Sequence, residues 1–149
     1  MNGAVTLMVL MTCMHAGAAE GEKPQTPATL KGGKVIDAAA AKRLADGRSA
    51  LFFDMRSAVN FGKGHIPGAT PLPYKEGSEF SADFDASRDK FDLAKLPADK
   101  KKAVVFYSDG PTGWKSYKAA VLAIKAGYRN VNWFRDGFVS WQGAKYPVE

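Results

Sequence analysis

Residues 104–116, VVFYSDGPTGWKS, run β-favouring side chains into a glycine-marked bend and then into the start of a helix. A strand that stops at such a bend just before a helix turns several backbone N–H groups into one small space, a natural cradle for an anion. The candidate binding residues are the loop itself: Ser108, Asp109, Gly110, Pro111, Thr112, Gly113, Trp114 and Lys115. Sulfate, thiosulfate or phosphate would suit converging amides with Lys115 alongside, although the Asp109 carboxylate opposes them. Ser108, at the rim, could act as a nucleophile only with a base in hydrogen-bond reach. The chain has two histidines, His15 and His65, and only His65 lies beyond the N-terminal leader. Asp109 is adjacent, but a carboxyl with a pKa of about 3.9 is a feeble base unless strongly desolvated. No catalytic residue is assigned on this basis.

Cysteine usage narrows the chemistry further. Residues 4–14, AVTLMVLMTCM, form an uncharged apolar run, and Ala16 and Ala18 supply the small residues of a signal-peptidase site. Residues 1–19 are read as a signal peptide, which places the processed protein in the periplasm or outside the cell, even though no Lys or Arg precedes the apolar run. A lipoprotein signal ending at Cys13 fits less well, because Met11 and Thr12 stand just before it. The single cysteine of the chain is Cys13. Cleavage would leave no thiol, no disulfide and no cysteine-based metal site. No metal or other cofactor is expected, and no later stretch is long and apolar enough to span a bilayer.

At 149 residues and 46% hydrophobic content the chain suits one globular domain with a proper core. Residues 1–19 carry no charged side chain, so the net charge of +6 belongs to the remainder and favours anionic partners. The one dense run, Lys100 to Lys102, reads as a solvated turn rather than a nucleic-acid patch. Residues 20–34, EGEKPQTPATLKGGK, lack apolar periodicity and read as a flexible linker, leaving 35–149 as the domain.

Within that domain the elements alternate. Asp37 caps a helix that Gly47 ends, and residues 50–54, ALFFD, have the continuous apolar character of a strand buried on both faces. Ser57 caps a short helical turn, and GKGHIPGATPLPY is a loop with a brief extended piece. A helix is expected over 85–96, ending before Pro97. Residues 103–107 and 130–134 read as strands, with helices over 114–127 and 137–143. Such alternation implies a parallel sheet with helices on both faces and ligands beyond the carboxyl ends of its strands. Trp133 and Trp141 are assigned to the core and its edge. Trp114 is either a lid over the loop or packing for the helix. Lys115 faces either the cradle or solvent.

Three segments in order, FFDMRSAVNFGKGHIPGATPLP, VVFYS with its loop and KSYKAA, and GYRNVNWFRDGFVSWQGAKYP, resemble the signatures of single-domain rhodanese-like proteins over roughly residues 33–148. The resemblance implies an α/β fold with a five-stranded parallel sheet and helices on both faces. It also implies a sulfurtransferase in which a cysteine at the end of the central strand carries sulfane sulfur as a persulfide. The matching position is 108, where this chain has serine. Persulfide transfer needs a thiolate, which a protein can form because free cysteine has a pKa of about 8.5 and a helix N-terminus lowers it. A serine hydroxyl stays protonated and cannot form the S–S linkage.

In the family pattern, His65 of GHIPGA orders its loop. Asp54 and Arg56 are read as holding the strand end by pairing with neighbouring backbone or with each other, rather than as contacting substrate. The loop between Ser108 and Lys115 is longer than the family's commonest one. The expectation is therefore an exported rhodanese-like pseudoenzyme whose loop receives a small oxyanion or docks a protein partner, without nucleic acid. The alternatives are an enzyme that handles sulfur or phosphoryl groups without a cysteine of its own, and a structural component of an exported redox or sulfur-oxidising complex.

Overall fold

The computed structural model describes residues 22–149; the expected signal peptide lies outside the described residues. The sheet has five strands, all parallel: β1 Lys34–Val35, β2 Leu51–Asp54, β3 Thr70–Pro71, β4 Val104–Tyr107 and β5 Val131–Phe134, in the spatial order β1-β5-β4-β2-β3. β4 is central and buried throughout, which is why its sequence is a continuous apolar run rather than an alternating one.

Its side chains still alternate in direction, and each set has its own core. Val104 and Phe106 join Phe53, Met55, Val131 and Trp133 on the face covered by helix α3, Trp114–Lys125. Val105 and Tyr107 join Phe52, Phe134, Phe138 and Trp141 on the face covered by α1, Ala38–Asp46, and α4, Gly137–Gly143. Trp133 and Trp141 are buried as expected. A short helix, α2, Ala58–Lys63, starts at Ser57, whose hydroxyl accepts the Asn60 N–H. Asp37 caps α1 through the Ala40 N–H. Gly127, at φ +96°, turns the chain after α3.

The helix expected over 85–96 is not formed. Its residues make two single 3₁₀ turns, Ala86–Arg88 and Leu93–Lys95, started by Asp85 and Asp92. The physical reason lies at Asp89, whose carboxylate accepts hydrogen bonds from Tyr74 Oη (2.6 Å), Gly77 N (2.7 Å), Ser78 N (2.8 Å) and Ser78 Oγ (2.7 Å). Lys75 and Lys90 also pair as an antiparallel bridge. The bridge takes the N–H and carbonyl of Lys90 away from an i→i−4 ladder, and the Asp89 bonds anchor the segment beside it.

The expected linker is also corrected, for residues 22–34. Thr26 and Leu30 are buried, and Thr26 bonds through both its N–H and its hydroxyl to the Pro111 carbonyl. Composition signalled a linker because proline, glycine and threonine-rich segments carry no periodicity, yet backbone groups and a threonine hydroxyl are enough to dock an extended strap.

Asp89 makes the fold acid-sensitive. Burial opposes its ionisation, but the bonds from Tyr74, Gly77 and Ser78 outweigh burial and hold the carboxyl below its ordinary value. Its stabilising contribution is therefore complete above the unfolded pKa of about 3.9 and is lost as pH falls through the lower folded value. Asp89→Asn is expected to cost about 1–3 kcal/mol at pH 7. Denaturant unfolding of both chains at pH 7 and pH 3 checks this: the gap between them should narrow at the lower pH.

Candidate functional site

The carboxyl end of the sheet is closed by one buried polar cluster. Asp54, at the end of β2, accepts hydrogen bonds from Arg56 N (2.9 Å), Arg56 Nη2 (2.7 Å) and Tyr107 Oη (2.8 Å). Arg56 Nη2 also donates to the Gly64 carbonyl at 2.7 Å, and the guanidinium lies 4.2 Å from the centre of the Phe138 ring. Burial opposes the charge on Arg56, but the hydrogen bonds and charge of Asp54 prevail and raise its pKa. Burial, reinforced by Asp54, raises the Tyr107 phenol far above its ordinary range. It stays protonated, donating to Asp54 while accepting the Ile66 N–H at 3.2 Å. The Asp54–Arg56 pairing is as expected.

Ser108 follows β4 directly and is 3% exposed. Two glycines grip it. A Cβ on Gly113 would lie 2.8 Å from Ser108 Oγ, and one on Gly137, already at φ +62°, would lie 2.6 Å from the Ser108 carbonyl oxygen. That carbonyl and the one after it accept the N–H groups of Phe138 and Val139, both at 2.9 Å, so the loop caps the start of α4.

The loop spends part of its own cradle. Gly113 N–H donates to Gly110 O at 2.8 Å, Trp114 N–H donates to Thr112 O at 3.1 Å, and Pro111 has no N–H to offer. Among the described residues, the amides of Asp109, Gly110, Thr112 and Lys115 have no backbone partner.

A cleft of about 520 Å³ opens over this loop. Of the sequence-predicted residues it brings together Ser108, Asp109, Thr112, Gly113, Trp114 and Lys115. Gly110 and Pro111 stay out of its wall: Gly110 is buried against Gly137, and the Pro111 carbonyl faces Thr26. Lys115 thus faces the cleft rather than solvent alone. Trp114 is buried, as packing for the helix requires: it packs edge-on to Tyr117 at 5.6 Å, its Nε1 donates to Pro24 O at 2.8 Å, and it forms part of the cleft wall.

Glu22, Lys23 and Glu76 complete the lining, and sequence reasoning missed them. No local pattern marked them, because they come from the strap and from an irregular segment joined to the site only by the fold. Glu76 is locked by the fully buried ammonium of Lys118 at 2.8 Å and approached by Lys23 at 3.9 Å. The cleft therefore carries three carboxylates, Glu22, Glu76 and Asp109, against two lysines, Lys23 and Lys115. It is not the uniformly basic pocket that the net charge of the chain implies.

Among the described residues no carboxylate or imidazole is hydrogen-bonded to the Ser108 hydroxyl. His65 is engaged at Nδ1 by Phe61 O (2.9 Å) and at Nε2 by Glu149 (3.4 Å), and its ring stacks on Phe61, consistent with a residue that orders its loop. The Asp109 carboxylate is largely exposed and lies 3.9 Å from Arg56. Among the described residues no cluster of side chains suits a metal ion, and no helix is long and apolar enough to cross a membrane.

A family profile described as "Rhodanese-like domain" matches residues 37–144. Similar solved structures include a rhodanese-related protein from Thermoplasma volcanium (19% identity, 78% of this chain and 97% of that one, TM-score 0.53). A thiosulfate sulfurtransferase from Pseudomonas aeruginosa shares 22% identity over 78% of this chain and 20% of its own, with a TM-score of 0.56. A Rhodopseudomonas palustris protein described as a possible tyrosine phosphatase shares 22% identity over 78% and 84%, at 0.57. At such identities these likenesses speak for the fold alone. Among curated proteins none matches the chain.

The strap yields a local prediction. Arg135 donates from Nε to Thr26 Oγ1 (3.1 Å) and Pro27 O (2.9 Å), and from Nη2 to Thr26 O (2.9 Å). Arg135→Ala should speed hydrogen exchange at the Thr26 amide by about 10- to 100-fold while leaving β4 amides protected. Native-state exchange followed by NMR checks both.

Proposed function

The chain belongs to the rhodanese-like domain family, and on that premise we propose that it is an exported member that binds a ligand over the β4 loop without carrying sulfur covalently. The observation that carries this reading is Ser108. It follows the central strand, gripped by Gly113 and Gly137, at the position where the family's persulfide cysteine is expected, and it offers an oxygen where that chemistry needs a thiolate. His65 is engaged elsewhere, the Asp109 carboxylate is exposed, and Glu76 is held by Lys118, so none of them is free to activate its hydroxyl. Export rests on the apolar run of residues 4–14 and the Ala16–Ala18 pair, and cleavage there would remove Cys13, the single cysteine.

The ligand reading follows from the same loop. An oxyanion would take the unpartnered amides of Asp109 and Thr112 together with Lys115, while Asp109 and Glu76 restrict where negative charge can sit. A small oxyanion, or an anionic group on a larger partner whose remainder fills the cleft, meets both conditions.

The processed chain is expected to produce no thiocyanate from thiosulfate and cyanide, and Ser108→Cys is expected to gain that activity. Turnover by the wild-type chain that vanishes in Ser108→Ala would sink the reading in favour of an enzyme working through serine. Calorimetric titration with sulfate, thiosulfate and phosphate should show millimolar binding, about −4 kcal/mol, that Lys115→Ala weakens severalfold. Heat unaffected by Lys115→Ala would move the anion elsewhere on the molecule.

A further inference from the structure

The excess positive charge of this chain does not gather at the β4 loop. Three basic side chains instead share a hollow at the opposite pole of the sheet, where the strands begin. There Lys34 opens β1, Lys101 belongs to the turn before β4 and Arg129 leads into β5, around a hollow of about 350 Å³ lined on one side by Gly32 and Gly33. No carboxylate lines it.

Two observations separate this hollow from an ordinary solvated surface. The first is pairing. In the cleft Lys23 approaches Glu76, but among the described residues none of Lys34, Lys101 and Arg129 forms an ion pair. Asp99 Oδ1 accepts the Lys101 N–H at 2.9 Å but does not line the hollow; cations facing one concavity without an ion-pair partner repel one another, and an anion held between them relieves that cost. The second is the backbone. Gly32 stands at φ +82°, and a Cβ on Gly33 would meet Leu30 Cδ2 at 2.6 Å and the Val131 carbonyl at 3.0 Å. The space that a Gly33 side chain would need is already filled by Leu30 and Val131, so this wall of the hollow is main chain held in place by the packing behind it.

Basic residues at this pole could instead serve the carbonyl end of α3. Lys100 does so: its Nζ donates to the Ala126 carbonyl, and its backbone carbonyl takes the Arg129 N–H at 2.9 Å, which sets Arg129 beside the lysine run. Helix capping thus accounts for Lys100, while Lys34, Lys101 and Arg129 make no such contact among the described residues. A hollow of this volume falls in the range of small-ligand pockets and exceeds a single water many times over.

We propose that the hollow bounded by Lys34, Lys101, Arg129 and the Gly32–Gly33 backbone is a binding site for a small, multiply charged, phosphate-bearing anion. Arg129 supplies a planar fork for two phosphate oxygens, and the two lysines act as point charges on the remainder. The site is separate from the loop over β4 and does not depend on the ligand assigned there.

The test titrates the full ¹⁵N-labelled chain with inorganic pyrophosphate at constant ionic strength. Saturable shifts are expected at the amides of Gly32, Gly33, Lys101, Arg129 and Asn130. The double variant Lys101→Glu/Arg129→Glu should lose affinity about tenfold or more, and its spectrum without ligand reports whether it folds. Lys63→Glu/Lys95→Glu, with the same change in net charge away from the hollow, should stay within about twofold. Shifts confined to residues 108–115, non-saturating changes throughout, or equal losses in both variants would overturn the proposal. So would binding to phosphatidylglycerol vesicles with none to pyrophosphate, which would make the pole a lipid-facing surface.

Discussion

The buried bond between Asp54 and Arg56 is the interaction on which the carboxyl end of this sheet depends. Both groups are nearly inaccessible to water, so each is tolerable only because the other neutralises it and because further partners use its remaining donors and acceptors. Tyr107 donates to Asp54 from β4, and Gly64 accepts from Arg56. The cluster thereby ties the ends of β2 and β4 to the loop after α2. Removing one member of such a pair typically costs about 3–5 kcal/mol, because the other is left charged and buried. The loop over β4 starts one residue beyond Tyr107, so its position follows from this cluster.

Above that base, the loop is shaped mainly by backbone. Gly113 and Gly137 let the chain close around Ser108, and carbonyls of the loop cap α4 while Pro111 receives the strap. The amides used inside the loop cannot bind a ligand. The hydrogen bonds that fix the loop thus reduce the cradle read from its sequence, and the side chains at its edges, Lys115, Lys23 and the opposing carboxylates, set the charge that the cleft presents. Charges of both signs thus face one cleft, an arrangement unlike a uniformly basic surface.

Charge shows the same division between sum and placement. A net charge of +6 is a property of composition, but the field at any surface depends on which cations are paired nearby. Glu76 holds Lys118 inside the core and meets Lys23 at the cleft, whereas Lys34, Lys101 and Arg129 stand unpaired at the far pole among the described residues. The two ends of one sheet therefore offer different electrostatic environments.

The apolar runs of β2 and β4, the strand at β5, the caps at Asp37 and Ser57 and the glycine stop after α3 were legible in the sequence, because each is set by neighbours within a few residues along the chain. So was Ser108, since the strand-to-helix bend that presents it is local. The irregular course of residues 85–96 was decided elsewhere: Asp85 and Asp92 carry a helix-like signal, but Tyr74, Gly77 and Ser78 capture Asp89 through bonds that only the folded chain can make. The strap was likewise invisible, because the groups that dock Thr26, the Pro111 carbonyl and the Arg135 guanidinium, stand 85 and 109 residues away along the chain. Local chemistry named the loop, and tertiary structure chose its walls, because hydrogen bonds and charges act through space without regard to distance along the sequence.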